Sequence, residues 1–247
     1  RPLLTTGAIN LATSEFRTER ERLLVVDDLV ETVIDALETS GQLANTVVIF
    51  TSDNGFFHGE HRLPTNKRLV YEESIRVPLL IRGPGIPEGE VRNQLIGNID
   101  LPATILGLAQ ATPGRALAGR SLAPLFSNSI APWRTTLLFQ GLDKFPGDST
   151  LYGRYQAVRT ENYKYAEHLT NQGLEKELYH LPLDSHELGS QHNNAIYRSV
   201  MTDLKLTLGH LKTCTGDNCW ITTPEPSLNP PSPCGANCLE SDPSFED

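Results

Sequence analysis

From about Ser14 to Ser40 the apolar positions Leu23, Val26, Val30, Val33 and Leu37 recur at helical spacing on a segment rich in Glu and Arg. That period predicts a long amphipathic helix with one apolar stripe. Gly41 stands where a left-handed residue closes such a helix. Residues 1–13 show no period and are expected to be irregular. Val47-Val48-Ile49-Phe50, within Asn45 to Ser52, is a continuous β-branched and aromatic run that predicts a strand buried on both faces. A helix leading directly into a buried strand predicts a parallel α/β sheet. A polar loop from Asp53 to about Arg68 separates this strand from a second, Val77 to Ile81, which closes at the turn Arg82-Gly83-Pro84-Gly85. A further helix is expected from Asp100, with the Asp100 carboxylate as cap, Pro102 in the first turn, and Pro113 and Gly114 beyond the end.

Residues 112–134 are punctuated by Pro and Gly and read as a boundary. From Thr135 the pattern changes. Strand-like runs at Thr135–Phe139, Tyr155–Arg159, Tyr163–Glu167 and Glu177–His180 are spaced for an antiparallel meander. A helix near Ala195–Lys212 closes that unit. The remainder is rich in Pro, Ser and Cys and is expected to be irregular. Three regions result: 1–130 as α/β core, 131–212 as a small antiparallel-sheet subdomain with a closing helix, and 213–247 as tail.

Composition narrows the function classes. The 247 residues carry a formal net charge of −9, with 38% hydrophobic and 21% charged residues, within the range of folded globular chains. No basic run offers a nucleic-acid footprint. No apolar stretch approaches the roughly 20 residues a membrane span needs. The chain opens Arg1-Pro2-Leu3-Leu4, without initiator Met or signal-peptide pattern, and reads as an excerpt or a processed chain. Its four cysteines, Cys214, Cys219, Cys234 and Cys238, all lie after the last predicted helix. Their short polar spacings suit two local disulfides or a cross-linked pair of pairs in an oxidising compartment, with reduced thiols or zinc as alternatives.

The chemistry concentrates in Thr51-Ser52-Asp53-Asn54-Gly55-Phe56-Phe57-His58-Gly59-Glu60-His61, continuing to Lys67. Ligands of open α/β sheets bind at the carboxyl ends of strands, where Asp53 stands. Adjacent Asp53 and Asn54 offer two hard oxygen donors, which suits calcium better than zinc. Gly55 would let the backbone turn sharply away from the ion. His58 and His61 can hydrogen-bond a substrate, and Lys67 can face an oxyanion. Phe56 and Phe57 can line a pocket or simply pack. Taken singly, these residues also fit an ordinary Asx turn, two loop histidines and a solvated lysine.

Their order and spacing carry more. Asp53-Asn54-Gly55, Gly59-Glu60-His61, Lys67, Tyr71-Glu72-Glu73-Ser74-Ile75-Arg76-Val77-Pro78-Leu79 and Arg82-Gly83-Pro84-Gly85 together resemble the sulfatase family. The resemblance is nearest to arylsulfatases and glucosamine-6-sulfatases. It extends through Leu43 to Asn45, Asn98 to Ile105, Gly119-Arg120-Ser121-Leu122, Arg159-Thr160, Lys164-Tyr165, Glu177-Leu178-Tyr179 and the Cys214–Cys219 spacing, covering most of residues 18–220.

The resemblance implies part of an alkaline-phosphatase-like α/β core followed by a C-terminal antiparallel-sheet α+β subdomain. It makes Asp53 and Asn54 calcium ligands, Lys67 a contact to the sulfate oxygens or the bridging oxygen, and His61 a contact to the substrate or its leaving group, with His58 left as a residue that can line the pocket. The implied substrate is a sulfated sugar or aryl sulfate, and the implied setting is secreted or lysosomal. The family's formylglycine nucleophile arises in a Cys/Ser-x-Pro-Ser-Arg segment, and no such segment occurs in these 247 residues. Half of the site is therefore expected to come from an N-terminal half, roughly 200 further residues by usual domain sizes. Without it, the strand edges of this chain are expected to lie open. A phosphodiesterase or phosphonate hydrolase of the same superfamily, and a non-catalytic binding protein of sulfatase descent, are the competing readings.

Overall fold

The structure, a computed structural model, describes residues 3–63, 67, 69–141, 154–170 and 172–228. The expected pairing of Cys234 and Cys238 lies outside the described residues.

The first helix, α1, spans Thr6–Thr39 and so begins earlier than the apolar period predicts. The Thr5 hydroxyl caps it, accepting from the Ala8 N–H at 3.2 Å. Its first turns follow a separate stripe, in which buried Ala12 and partly covered Ala8 and Glu19 face the loop around His58. The predicted stripe is present but uncovered: Leu23 is 58% exposed and Val33 47%. At the helix end, Gly41 adopts φ 69° as expected.

Strand β1 (Val48–Thr51) pairs with β2 (Leu79–Arg82), and the pairing is antiparallel. The expected parallel arrangement is not formed among the described residues. The reason is local: the excursion from Ser52 to Pro78 returns the chain beside β1 in the reverse direction. Burial is also less than predicted, with Phe50 39% and Leu80 61% exposed, because β2 is the one hydrogen-bonded neighbour of β1 among the described residues. The intervening short helix α2 covers Glu72–Ile75.

Helix α3 (Asp100–Leu108) starts where expected, but Asp100 is its first residue rather than its cap. The buried Asp100 carboxylate instead accepts from the Gly97 and Arg120 N–H groups, each at 2.9 Å, and pairs with the Arg134 guanidinium. This ties three separated segments at one point. Gly119 permits the approach, since a Cβ there would lie 2.0 Å from the Ile99 carbonyl oxygen. A short helix, α4 (Ala123–Ser127), interrupts the boundary region.

Strands β3 (Leu137–Gly141), β4 (Arg154–Arg159), β5 (Tyr163–Thr170) and β6 (Gly173–His180) form the predicted antiparallel meander in sequence order. Helix α5 (Arg198–Leu211) packs Val200, Leu204, Leu208 and Leu211 against Val158, Tyr163, Tyr165 and Leu178. The disulfide Cys214–Cys219 fastens the chain just beyond this helix. The opposite sheet face receives Val70, which packs on Tyr155, Ala157 and Ala166. Phe57, Leu69 and Tyr71 pack beside it on Tyr179 and Leu181. β5 is thus covered on both faces, and the segment that follows β1 is clamped to the sheet. That clamp fixes the loop carrying the candidate chemistry.

Candidate active site at the end of the first strand

The chain leaves β1 at Thr51, whose hydroxyl donates to the Pro78 carbonyl oxygen at 2.8 Å. The next turn is internally bonded. Ser52 Oγ donates to the Asn54 carbonyl oxygen at 2.8 Å, and the Asn54 N–H donates to Asp53 Oδ1 at 3.0 Å. From outside, Asn98 Nδ2 donates to the carbonyl oxygens of Ser52 and Asp53, both at 3.2 Å. The Asp53 carboxylate is thereby held at an exposed position beside the half-buried Asn54. Lys67 Nζ reaches Asn54 Oδ1 at 3.4 Å, so three of the predicted residues converge.

Gly55 serves a different purpose from the predicted sharp turn. Its φ is not among the positive values of the chain. Its N–H donates to the Ser74 carbonyl oxygen at 2.9 Å, and a Cβ would sit 1.9 Å from the Glu73 carbonyl oxygen. Only a residue without a side chain lets the loop meet α2 so closely.

The two histidines face different neighbours. His58 Nε2 meets Glu19 Oε2 at 2.6 Å, with Phe16 edge-on at 5.2 Å, which places it at the junction of the loop with α1. His61 adopts φ 53°, stacks on Tyr71 at 3.8 Å and meets Glu73 Oε2 at 3.2 Å. Phe57 is fully buried in the clamp, so it packs, whereas Phe56 remains half-buried beside His58.

Ligating atoms of His61, Glu73 and Glu187 lie within 4.8 Å of one another. A cation is already supplied there by a side chain. The buried Lys164 ammonium lies 2.7 Å from Glu187 Oε1 and 2.8 Å from Glu72 Oε1, and donates to the Val70 carbonyl oxygen at 2.9 Å. Arg159 adds a second cation on Glu72, and Glu187 Oε2 accepts from the Glu72 N–H at 2.7 Å. Burial pushes the Glu72 carboxyl up, but the Lys164 charge and the Arg159 contacts outweigh it and hold the group at about 2. Burial dominates at Glu187 and pushes it to about 7 despite Lys164. This network joins α2 to β5 and therefore stiffens the floor of the loop.

As a calcium site, Asp53 and Asn54 fit in kind, one carboxylate and one amide oxygen on a braced turn, but two donors are fewer than the six to eight that calcium takes. Sequence reading missed Glu19, Glu73 and Asn98, which hold the site residues in place, and Glu187, which braces α2 beneath them. Their signal is absent from any local window, because each meets its partner across more than a turn of chain. Tyr71-Glu72-Glu73, quoted for its resemblance, gave the nearest hint.

A two-stranded sheet with an acid–amide–lysine cluster at its end, joined to a four-stranded antiparallel sheet, is the fold of the C-terminal region of a sulfatase. Residues 59–213 match the family model described as N-sulphoglucosamine sulphohydrolase, C-terminal, and the chain belongs to the sulfatase family. It is 34% identical over 248 residues to N-acetylglucosamine-6-sulfatase of Bos taurus, covering 87% of this chain and 43% of that protein. It is 31% identical over 200 residues to N-acetylglucosamine-6-O-sulfatase of Bacteroides thetaiotaomicron, covering 79% and 35%.

Among solved structures, BT4656 in complex with its substrate D-glucosamine-2-N,6-O-disulfate is similar with a TM-score of 0.71 and 30% identity, over 77% of this chain and 38% of that one. The phosphonate monoester hydrolase of Agrobacterium radiobacter is similar with a TM-score of 0.64 and 26% identity, over 76% and 39%. The chain therefore spans less than half the length of the relatives it matches. No described helix is long and apolar enough to cross a membrane.

Proposed function

We propose that the protein to which this chain belongs hydrolyses sulfate monoesters of an amino sugar, and that this chain supplies the C-terminal half of its active site. The observation that carries the reading is the convergence of Asp53, Asn54 and Lys67 on one braced turn at the end of β1. Asp53 and Asn54 would hold calcium, which when bound neutralises charge on the sulfate oxygens. Lys67 places a fixed ammonium beside them, where it can stabilise charge developing on the transferring group. His61, held by Glu73 and Tyr71, would bind the substrate or donate a proton to its leaving oxygen, and His58, beside Glu19, would border the sugar.

The nucleophile, a formylglycine, would come from a segment outside these residues, in the N-terminal half of the same enzyme. That half would also add the missing calcium oxygens and cover the apolar face of α1. The chain then divides as 1–130 core, 131–212 subdomain and 213–247 tail. The Cys214–Cys219 disulfide supports an extracellular or lysosomal setting.

The similarity to a phosphonate monoester hydrolase favours one second reading, a related phosphoester or phosphonate hydrolase. The test is turnover of glucosamine 6-sulfate and of an aryl phosphonate by the intact protein, before and after chelation and calcium return. Calcium-dependent release of sulfate, with kcat reduced about 10²–10³-fold in Lys67→Ala, is expected. Preference for the phosphonate supports the second reading. Turnover of neither would leave a non-catalytic binding protein.

A further inference from the structure

Away from the Asp53 loop, and sharing no lining residue with it, a cleft of about 390 Å³ opens between the 93–95 segment, the 130–135 segment, Glu161 and Glu225. Its size falls within the range of small-molecule sites. Trp133 lines it, with its indole N–H committed to the Leu95 carbonyl oxygen at 2.8 Å, so the ring is fixed. Trp220 buttresses that ring edge-on at 4.9 Å. Trp220 is itself held between the Arg120 and Arg134 guanidinium groups, at 4.1 and 4.3 Å.

Two buried polar atoms of residues lining this cleft have no hydrogen-bond partner among the described residues. They are Gln94 Oε1, an acceptor, and Arg134 Nε, a donor, on a residue only 7% exposed. Both residues are otherwise anchored: Gln94 Nε2 donates to the Ser129 carbonyl oxygen, and Arg134 pairs with Asp100. Buried polar groups rarely stay unpaired, so an unmet donor and an unmet acceptor on two residues that line one cleft point to a ligand that offers both and toward which these side chains turn on binding. Glu161 and Glu225 add carboxylate acceptors, the latter oriented by the Asn162 N–H at 3.0 Å. The charge of Arg134 is already met by Asp100, and the two glutamates repel anions.

From this combination we infer that the cleft is a second, non-catalytic binding site for an uncharged saccharide unit. A pyranose presents C–H groups to an indole ring, and its hydroxyls both accept, as Arg134 Nε requires, and donate, as Gln94 Oε1 and the glutamates require. A sulfated unit does not suit the acidic rim. The inference does not depend on the chemistry at Asp53.

The test is calorimetric titration of the intact protein with an unsulfated N-acetylglucosamine trisaccharide, in the wild type and in three variants. Saturable binding is expected, weakened at least about fivefold by Gln94→Leu, consistent with loss of about one hydrogen bond. Glu161→Gln, at the exposed rim where folding is not at risk, is expected to weaken it as well. Lys67→Ala is expected to leave it unchanged. Binding abolished by Lys67→Ala but kept in Gln94→Leu would assign the sugar to the active site and overturn the inference. So would the absence of saturable binding, or binding indifferent to both cleft variants.

Discussion

At the residue scale the site depends on contacts that tolerate no added atom. Gly55 is the sharpest case, because any Cβ collides with the Glu73 backbone and not with a flexible side chain that can yield. Gly55→Ala should therefore lift the Asp53–Asn54 turn off α2 and weaken the calcium binding proposed for it at least about tenfold, a displacement effect on positioned groups. Calcium titration of the intact variant, with circular dichroism to confirm folding, measures it. The Lys164 network makes a second prediction. Glu72, held at about 2, adds stability that is complete above the ordinary carboxylate value of 4.5 and is lost as pH falls toward 2. Glu187, pushed to about 7, holds its proton more tightly folded than unfolded, so stability falls as pH rises from 4.5 to 7. The two effects place a stability maximum near pH 4.5, with the loss toward pH 7 on the order of 3 kcal/mol. Thermal unfolding from pH 3 to 8 should show that maximum. Glu187→Gln, which keeps the neutral form at every pH, should flatten the upper limb.

At the element scale, α5 carries the subdomain. Leu204 is 1% exposed among Val200, Leu208 and the sheet tyrosines, so Leu204→Ala should cost about 2–5 kcal/mol, read from chemical denaturation. The Cys214–Cys219 link closes a loop with a sequence separation of 5, and its removal by Cys214→Ser with Cys219→Ser should cost about 2 kcal/mol. These elements were legible in the sequence, because the spacing of α5 and the alternation along β3 to β6 are local and each packs against the next. The β1–β2 pairing was not. An apolar run reports that a strand is to be covered, but neither the direction of its neighbour nor whether this chain provides the cover. The Asp100–Arg134 and Lys164–Glu187 pairs were equally hidden, since complementary charges dozens of residues apart leave no periodic trace. Within the site, Asp53, Asn54 and Lys67 lie together, while the contacts that orient His58 and His61 emerged only in three dimensions.

At the scale of the whole molecule, the uncovered stripe of α1 and the open β1–β2 pair have one physical explanation in common. Val26, Val30 and Val33 repeat as a buried face does, yet each is more than a third exposed here, and Phe50 and Leu80 leave the β1–β2 pair similarly bare. Exposed apolar runs of this kind mark interaction faces. The chain spans only 43% of the Bos taurus relative, so more than half of a protein of that length remains to cover it. A charge placed in the stripe separates the alternatives. In the chain by itself, Val30→Glu faces water and should change stability by no more than about 0.5 kcal/mol. In the intact protein the same carboxylate would enter an apolar contact unpaired, and the loss should reach several kcal/mol or appear as failure to fold, as expected for a buried unpaired charge. Comparable small changes in both forms would mean that the stripe faces solvent throughout. The covering role proposed for the N-terminal half would then be wrong, whatever the fate of the sulfatase chemistry.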